Sequence, residues 1–168
     1  MKRLICFTLS VLLIGIIFCS CSDKGSESST ENGVLTEVKD DNGNLTGYER
    51  RYTNDNGDIT RWDVYDADQT YLYYVLYEYD ENNRLLSETR YKAEGFAEYR
   101  YVYTYDDKGN LSEKAYELPH GEAEVHRYNA DGEEIERLYY DTEEKLIKRE
   151  VLENGEWVAH DPTEAAKK

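Results

Sequence analysis

Three groups of side chains in this 168-residue chain have types and spacings that could do chemistry. The first is a set of oxygen-rich turns: Asp40-Asp41-Asn42-Gly43-Asn44, Asn54-Asp55-Asn56-Gly57-Asp58 and Asn129-Ala130-Asp131-Gly132-Glu133. Their density suits calcium, but an EF-hand loop needs an acid five residues before its Gly. Val38, Tyr52 and Arg127 stand there instead, so the turns read as backbone chemistry, in which short polar side chains bond to their own loop. The second group is His120, Glu122, Glu124 and His126, which alternate and would share one side of a strand. A turn at Gly121 separates the two His, and no HExxH or Cys ligand joins them, so neither a metal nor another cofactor is expected. The third group is aromatic: Trp62, Trp157 and rows of Tyr that include Tyr77, Tyr79, Tyr101 and Tyr103. Such rings stack on sugars or line protein interfaces. Here they either satisfy one another across strands or present a surface to a protein or a glycan. Acidic residues number 36, so a carboxylate pair at a useful separation is expected by chance, and no Ser, Cys or His has a recognisable nucleophile setting. The chain is read as no enzyme.

Lys2 and Arg3 followed by the apolar run Leu4 to Phe18 read as a secretory signal peptide, too short to span a bilayer. Its end, Phe18-Cys19-Ser20-Cys21, resembles a bacterial lipobox, which implies cleavage before Cys21 and diacylglycerol on its sulfur. The expected organisation is a leader over 1–20, a lipidated Cys21 and polar tether over 21–33, a β-repeat domain over 34–158, and a polar tail over 159–168. All three Cys lie in or beside the leader, so the mature chain has no pair for a disulfide. Lys2 and Arg3 take two of the 20 basic residues; 18 then remain against 36 acidic, a net charge of −18. That field repels nucleic acid and favours cations or a basic partner.

The elements that must carry the aromatic rows are legible from the turns. Gly43, Gly57, Gln69, Asn83, Gly95, Gly109, Gly121, Gly132, Glu144 and Gly155 follow one another in steps of 11 to 14 residues, each placed to take a positive φ. An Asp or Asn usually precedes by three, as in a type I turn closed by a left-handed residue. Between turns, runs such as Tyr71 to Tyr79 and Tyr99 to Tyr105 alternate with period two. The fold expected is all-β: an antiparallel meander of about nine or ten strands in a thin or single-layer twisted sheet. Simple hairpin register sets Tyr105 against Leu111, Tyr103 against Glu113, Tyr101 against Ala115, Tyr79 against Leu85 and Tyr140 against Leu146. It also sets Arg90 against Glu98 and Glu88 against Arg100. Odd parity then gathers Tyr73, Val75, Tyr77, Tyr79, Leu85, Tyr91, Tyr99, Tyr101, Tyr103 and Tyr105 on one face. The charges Glu78, Glu88, Arg90, Arg100 and Lys114 fall on the other.

Tyr105-Asp106-Asp107-Lys108-Gly109-Asn110-Leu111 resembles the YD repeat of RHS-type bacterial surface proteins; Tyr79 to Leu85 and Tyr140 to Leu146 match except at the Gly. The resemblance covers about 40–157 and implies strand–turn–strand geometry and a bacterial envelope setting. The large members wrap a toxin in a β-spiral, for which this chain is too short. The expected role is a lipid-anchored, extracytoplasmic module that binds a protein or glycan or serves structurally. The alternatives are an immunity-like partner of a basic toxin, or a glycan-active enzyme.

Overall fold

A computed structural model describes residues 33–163. The leader, Cys21, the tether through Asn32 and the last five residues of the tail lie outside that range. Eleven strands run in sequence: β1 Leu35–Lys39, β2 Leu45–Thr53, β3 Ile59–Asp66, β4 Tyr71–Tyr79, β5 Leu85–Lys92, β6 Ala97–Tyr105, β7 Leu111–Glu117, β8 Ala123–Tyr128, β9 Glu134–Tyr140, β10 Leu146–Glu153 and β11 Glu156–His160. They form one antiparallel sheet in strict order, open at β1 and β11. The expected meander is present, with one strand more than the upper count because all ten turns form. All ten positions take positive φ, including Gln69 at 62°, Asn83 at 64° and Glu144 at 58°.

The turns repeat one piece of chemistry. At Asp40, Asn54, Asp66, Asp80, Asp106, Asn129 and Asp141, one side-chain oxygen accepts hydrogen bonds from the backbone N–H groups two and four residues on. The bonds from Asn44, Arg84 and Asn110 hold Asp40, Asp80 and Asp106 below the usual carboxylate range. These acids already serve the loop, as the sequence implied.

Register departs from the simple reading in one systematic way. Tyr79 faces Leu85, Tyr105 faces Leu111 and Tyr140 faces Leu146, as expected. One step further from the turn, eight of the ten hairpins shift by a residue; only β7–β8 and β10–β11 do not. Each shift is a β-bulge, in which two residues oppose one and later side chains change face. Tyr103 therefore faces Lys114 rather than Glu113, and Tyr101 faces Tyr116 rather than Ala115. Arg90 faces Tyr99 and Glu88 faces Tyr101, not Glu98 and Arg100. The Leu86 bulge carries Tyr91 to the opposite face, where it pairs with Tyr74. It brings Glu88 and Arg90 among the tyrosines, and the Ser112 bulge does the same for Lys114.

One face, here the seam face, carries the cluster of buried apolar residues, while Val75 is buried singly on the other. Val102, Ala115, Val125 and Leu138 lie in register on successive strands, and Leu138 is 1% exposed. Among the described residues no second layer covers it, and burial comes from neighbours on the same face, Tyr140 and Leu146 among them. Beside the seam, Arg127 bridges Glu113 at 3.0 Å and Glu136 at 2.9 Å, and Arg149 bonds Glu136 at 2.6 Å. Toward the N-terminus the same face buries Asp63 against Arg61 at 2.7 Å, with hydroxyls of Tyr71 and Tyr52 donating at 3.2 and 3.3 Å.

Candidate functional site

All six aromatic candidates lie on the other face, the tyrosine face. Strand pairing places Trp62 opposite Val75, Tyr77 opposite Glu88 and Glu88 opposite Tyr101, so β3 to β6 present them together. Trp157 pairs with Leu152 at the far end of the same face.

The bulges turn this face into an alternating strip of rings and cations. Arg51 lies 5.6 Å from the Trp62 ring, and Trp62 meets Tyr73 edge-on at 6.2 Å. Arg90 stacks on Tyr73 at 3.7 Å and reaches Tyr99 at 5.9 Å. Its Nε also lies 2.9 Å from Glu98, an ion-pair distance without hydrogen-bond alignment. Tyr99, Tyr101 and Tyr116 cluster with centroids 5.1 to 5.7 Å apart. Lys114 then sits 4.3 Å from the Tyr101 ring and 5.5 Å from Tyr103. A cation over a ring face gains about 0.5–1 kcal/mol at exposed sites.

Two adjoining depressions open beside Lys114. One, of about 440 Å³, is lined by Tyr101, Lys114, Tyr116, Glu124, His126, Tyr128 and Glu134. The other, of about 520 Å³, runs past Tyr103, Leu111 and Tyr128 to the Ala130–Gly132 turn. They share Lys114 and Tyr128, so together they make one polar groove across β6 to β9. Most of the groove's lining lies on strands, and one end is closed by the Ala130–Gly132 turn.

Electrostatics in the groove favour donors over bases. Burial, and then the nearby Glu88 carboxylate, pushes the Tyr103 phenol up to about 12. Tyr101 is raised by burial and by Tyr99, and Tyr128 by burial and by Glu134. These phenols stay protonated at neutral pH. His126 is held between Glu134 at 2.6 Å and Glu124 at 3.3 Å. Arg137 bonds Glu134 at 2.6 Å and holds that carboxyl below its ordinary value. The same Arg137 lies 4.0 Å from the Trp157 ring, which ties the far candidate to the groove wall.

The candidates differ in how free they are. Trp62 donates its indole N–H to Glu49 at 3.1 Å. The Tyr79 hydroxyl donates to the Ile59 carbonyl at 2.9 Å, and Tyr105 repeats that bond to Leu85 at 2.9 Å. In both repeats the motif Tyr thus bolts its strand to the backbone of the neighbouring one. Tyr77 is half-buried beside Glu88. Tyr101 and Tyr103 line the groove itself. Lys114, Tyr116 and Tyr128 were missed as site residues: parity counting across a bulge put Lys114 on the wrong face, and nothing in their local sequence marks the other two. Gly121 does separate His120 from His126, with His120 paired to Glu122 at 3.1 Å. Among the described residues no group of three or more His, Cys, Asp or Glu is placed to hold a metal ion, and no helix is long and apolar enough to cross a membrane.

No family model matches the chain, and no curated protein matches it. Among solved structures, a Bacteroides fragilis protein of unknown function is similar over 77% of this chain and 89% of its own, at 12% identity and a TM-score of 0.21. A likeness that low carries no argument about fold or function.

Proposed function

We propose that this chain is a cell-envelope lipoprotein, anchored through Cys21, whose β-repeat domain is a non-enzymatic binding module, with a glycan as the preferred ligand. The observation that carries the binding reading is the polar groove around Lys114, floored by Tyr101, Tyr103, Tyr116 and Tyr128. Tyr rings offer flat apolar faces to sugar rings, and their protonated hydroxyls donate to sugar oxygens. Glu124, Glu134 and Lys114 add acceptors and a donor along the wall. Among the described residues the aliphatic side chains lining the groove are Leu111 and Ala130, so the flat faces it offers are mainly tyrosine rings flanked by charged and hydroxyl groups. Binding rather than catalysis is favoured because the phenols are held protonated and Glu134 is engaged by both His126 and Arg137. Lipid anchorage rests on the leader and the Ser20-Cys21 junction, and the bacterial envelope setting on the YD-like repeats.

A glycan array probed with the chain and with Tyr101→Ala, Trp62→Ala and Trp157→Ala tests the reading. The expected result is binding that Tyr101→Ala abolishes and that the two Trp variants weaken less. Silence across the array removes the glycan. Palmitate labelling that persists in Cys21→Ala refutes the anchor.

A further inference from the structure

The two open edges of the sheet are built differently. β1 is the guarded edge: it carries Lys39, paired with Glu37 at 2.7 Å, and a Lys on an edge strand discourages pairing with another chain. β11, Glu156-Trp157-Val158-Ala159-His160, has no Lys, no Pro and no bulge. It is joined to β10 by a two-residue turn, with Asn154 at φ 52° and Gly155 at φ 86°. In such a hairpin the residues flanking the turn, Glu153 and Glu156, exchange backbone hydrogen bonds. Val158 and His160 then bond inward as well. The N–H and C=O groups of Trp157 and Ala159 point outward, and among the described residues no strand pairs with them.

We infer that this edge is a self-recognition site, where β11 pairs antiparallel with β11 of a second copy about a twofold axis through Val158. The register follows from the strand's own sequence. With Val158 on the axis, Trp157 faces Ala159 of the second copy, so all four outward backbone groups of each strand find partners. Glu156 faces His160 of the second copy, a carboxylate against an imidazole, twice over. His160 uses Nε2 for its own Glu153 at 2.8 Å, which leaves Nδ1 for the new neighbour. Trp157 lies over Ala159 of the second copy, large against small. Shifting the axis by one residue to either side pairs Trp157 with itself or Ala159 with itself, and in both cases breaks the Glu–His match. Pairing through one five-residue strand is a small contact beside the roughly 1,600 Å² of a stable interface. Association therefore follows local concentration. The net negative charge of both copies makes it stronger in high salt.

On the axis, Val158 meets its twin as a non-hydrogen-bonded pair, the closer kind, with Cα atoms about 4.5 Å apart. That geometry suits a disulfide between Val158→Cys chains. The full chain carrying Val158→Cys, extracted from the envelope in mild detergent and oxidised, is compared with the parent chain and with Ile147→Cys. Ile147 is the more exposed position, 55% against 37%, but lies on β10 away from the edge. The expected result is at least a tenfold excess of disulfide dimer in Val158→Cys over both controls, rising with salt. Val158→Lys abolishes the dimer seen by light scattering and leaves the β-sheet circular dichroism unchanged. Crosslinking of Val158→Cys no greater than that of Ile147→Cys overturns the proposal. So does crosslinking that needs a second Cys at Val38, because the partner of β11 is then β1.

Discussion

Around Leu138 the seam face pairs charge with charge; around Lys114 the tyrosine face rests charge on rings. Arg127 and Arg149 converge on Glu136 beside the Ala115–Val125–Leu138 core. Lys114 lies only one strand from Arg127, yet among the described residues it makes no ion pair and sits over Tyr101 and Tyr103. The difference lies in what the side chains can give up. Glu136 has only 13% of its side chain exposed, so removing a partner from it leaves a poorly solvated charge. Lys114 borders an open groove, where a ligand or water replaces the ring contact at little cost. One face keeps its charges paired beside the core, and the other leaves a cation over rings at the border of an open groove.

The sharpest way to break that contrast is Leu138→Ala. A fully buried Leu exchanged for Ala destabilises by about 2–5 kcal/mol, and urea denaturation reads it directly. Ligand binding at temperatures where the variant stays folded is expected to be unchanged. A loss below about 0.5 kcal/mol would mean that the seam is not the core and that the faces share the load.

Arg127→Met attacks the charge network beside the seam. Arg127 is 44% exposed, so solvent screening brings the cost of its loss down to about 1 kcal/mol, below the range for a buried charged hydrogen bond. The variant also carries a pH signature. Burial works to raise the Glu136 carboxyl, but the bonds from Arg149 and Arg127 outweigh it and hold it below its ordinary value. A lowered folded pKa gives stability that is present above the unfolded value and fades as pH falls through the folded one. Acid unfolding followed by circular dichroism is expected to begin at higher pH in Arg127→Met than in the parent. Coincident acid curves would remove Arg127 from the account.

Alkali separates the faces less sharply, because both bury phenols. Tyr71 on the seam face is pushed up to about 12 by burial and by Asp63. Tyr103 and Tyr139 on the tyrosine face also reach about 12, through burial with Glu88 and with Glu150 respectively. A raised folded pKa contributes stability that is whole below about 10 and is lost as pH rises through about 12. Phenolate absorbance and circular dichroism should therefore move together above pH 10. Tyr103→Phe should narrow that loss while leaving the acid limb alone; an unchanged alkaline limb would contradict the burial of this phenol.

How much of this was legible before the fold was seen depends on the distance from a turn. Turn chemistry is local: Asp106 and Gly109 sit three residues apart, and their roles follow from side-chain reach and φ preference alone. The pairs beside the turns, Tyr79 with Leu85 and Tyr105 with Leu111, follow from loop length. The bulges one step beyond do not announce themselves by residue type: Thr46, Thr60 and Ser112 donate a hydroxyl to the partner strand's backbone, Leu72, Leu86, Ile135 and Ile147 are aliphatic, and Glu98 is charged. Each is a compromise between twist and pairing that no single residue type encodes. That single missing step moved Arg90 and Lys114 to the correct face only when the register was known. Tyr101 and Tyr103 were still found, because alternation along one strand is immune to an error in its neighbour. The groove was not found, because it needs β6, β7 and β8 in their true register.

Lys114→Gln is the mildest change and tests the contrast from the other side. The amide keeps most of the stem that packs along the rings and removes the charge. Stability is expected to shift by no more than about 0.5 kcal/mol, as for a surface site that neither opens a cavity nor orphans a buried group. Binding measured on the same preparation should fall much further, since among the described residues Lys114 is the one Lys or Arg lining either depression. If the variant instead loses more than about 1 kcal/mol of stability, the Lys114–Tyr101 contact is a structural tie. The tyrosine face would then be held as the seam face is, by charges that the fold cannot release, and the groove would be a by-product of the ladder.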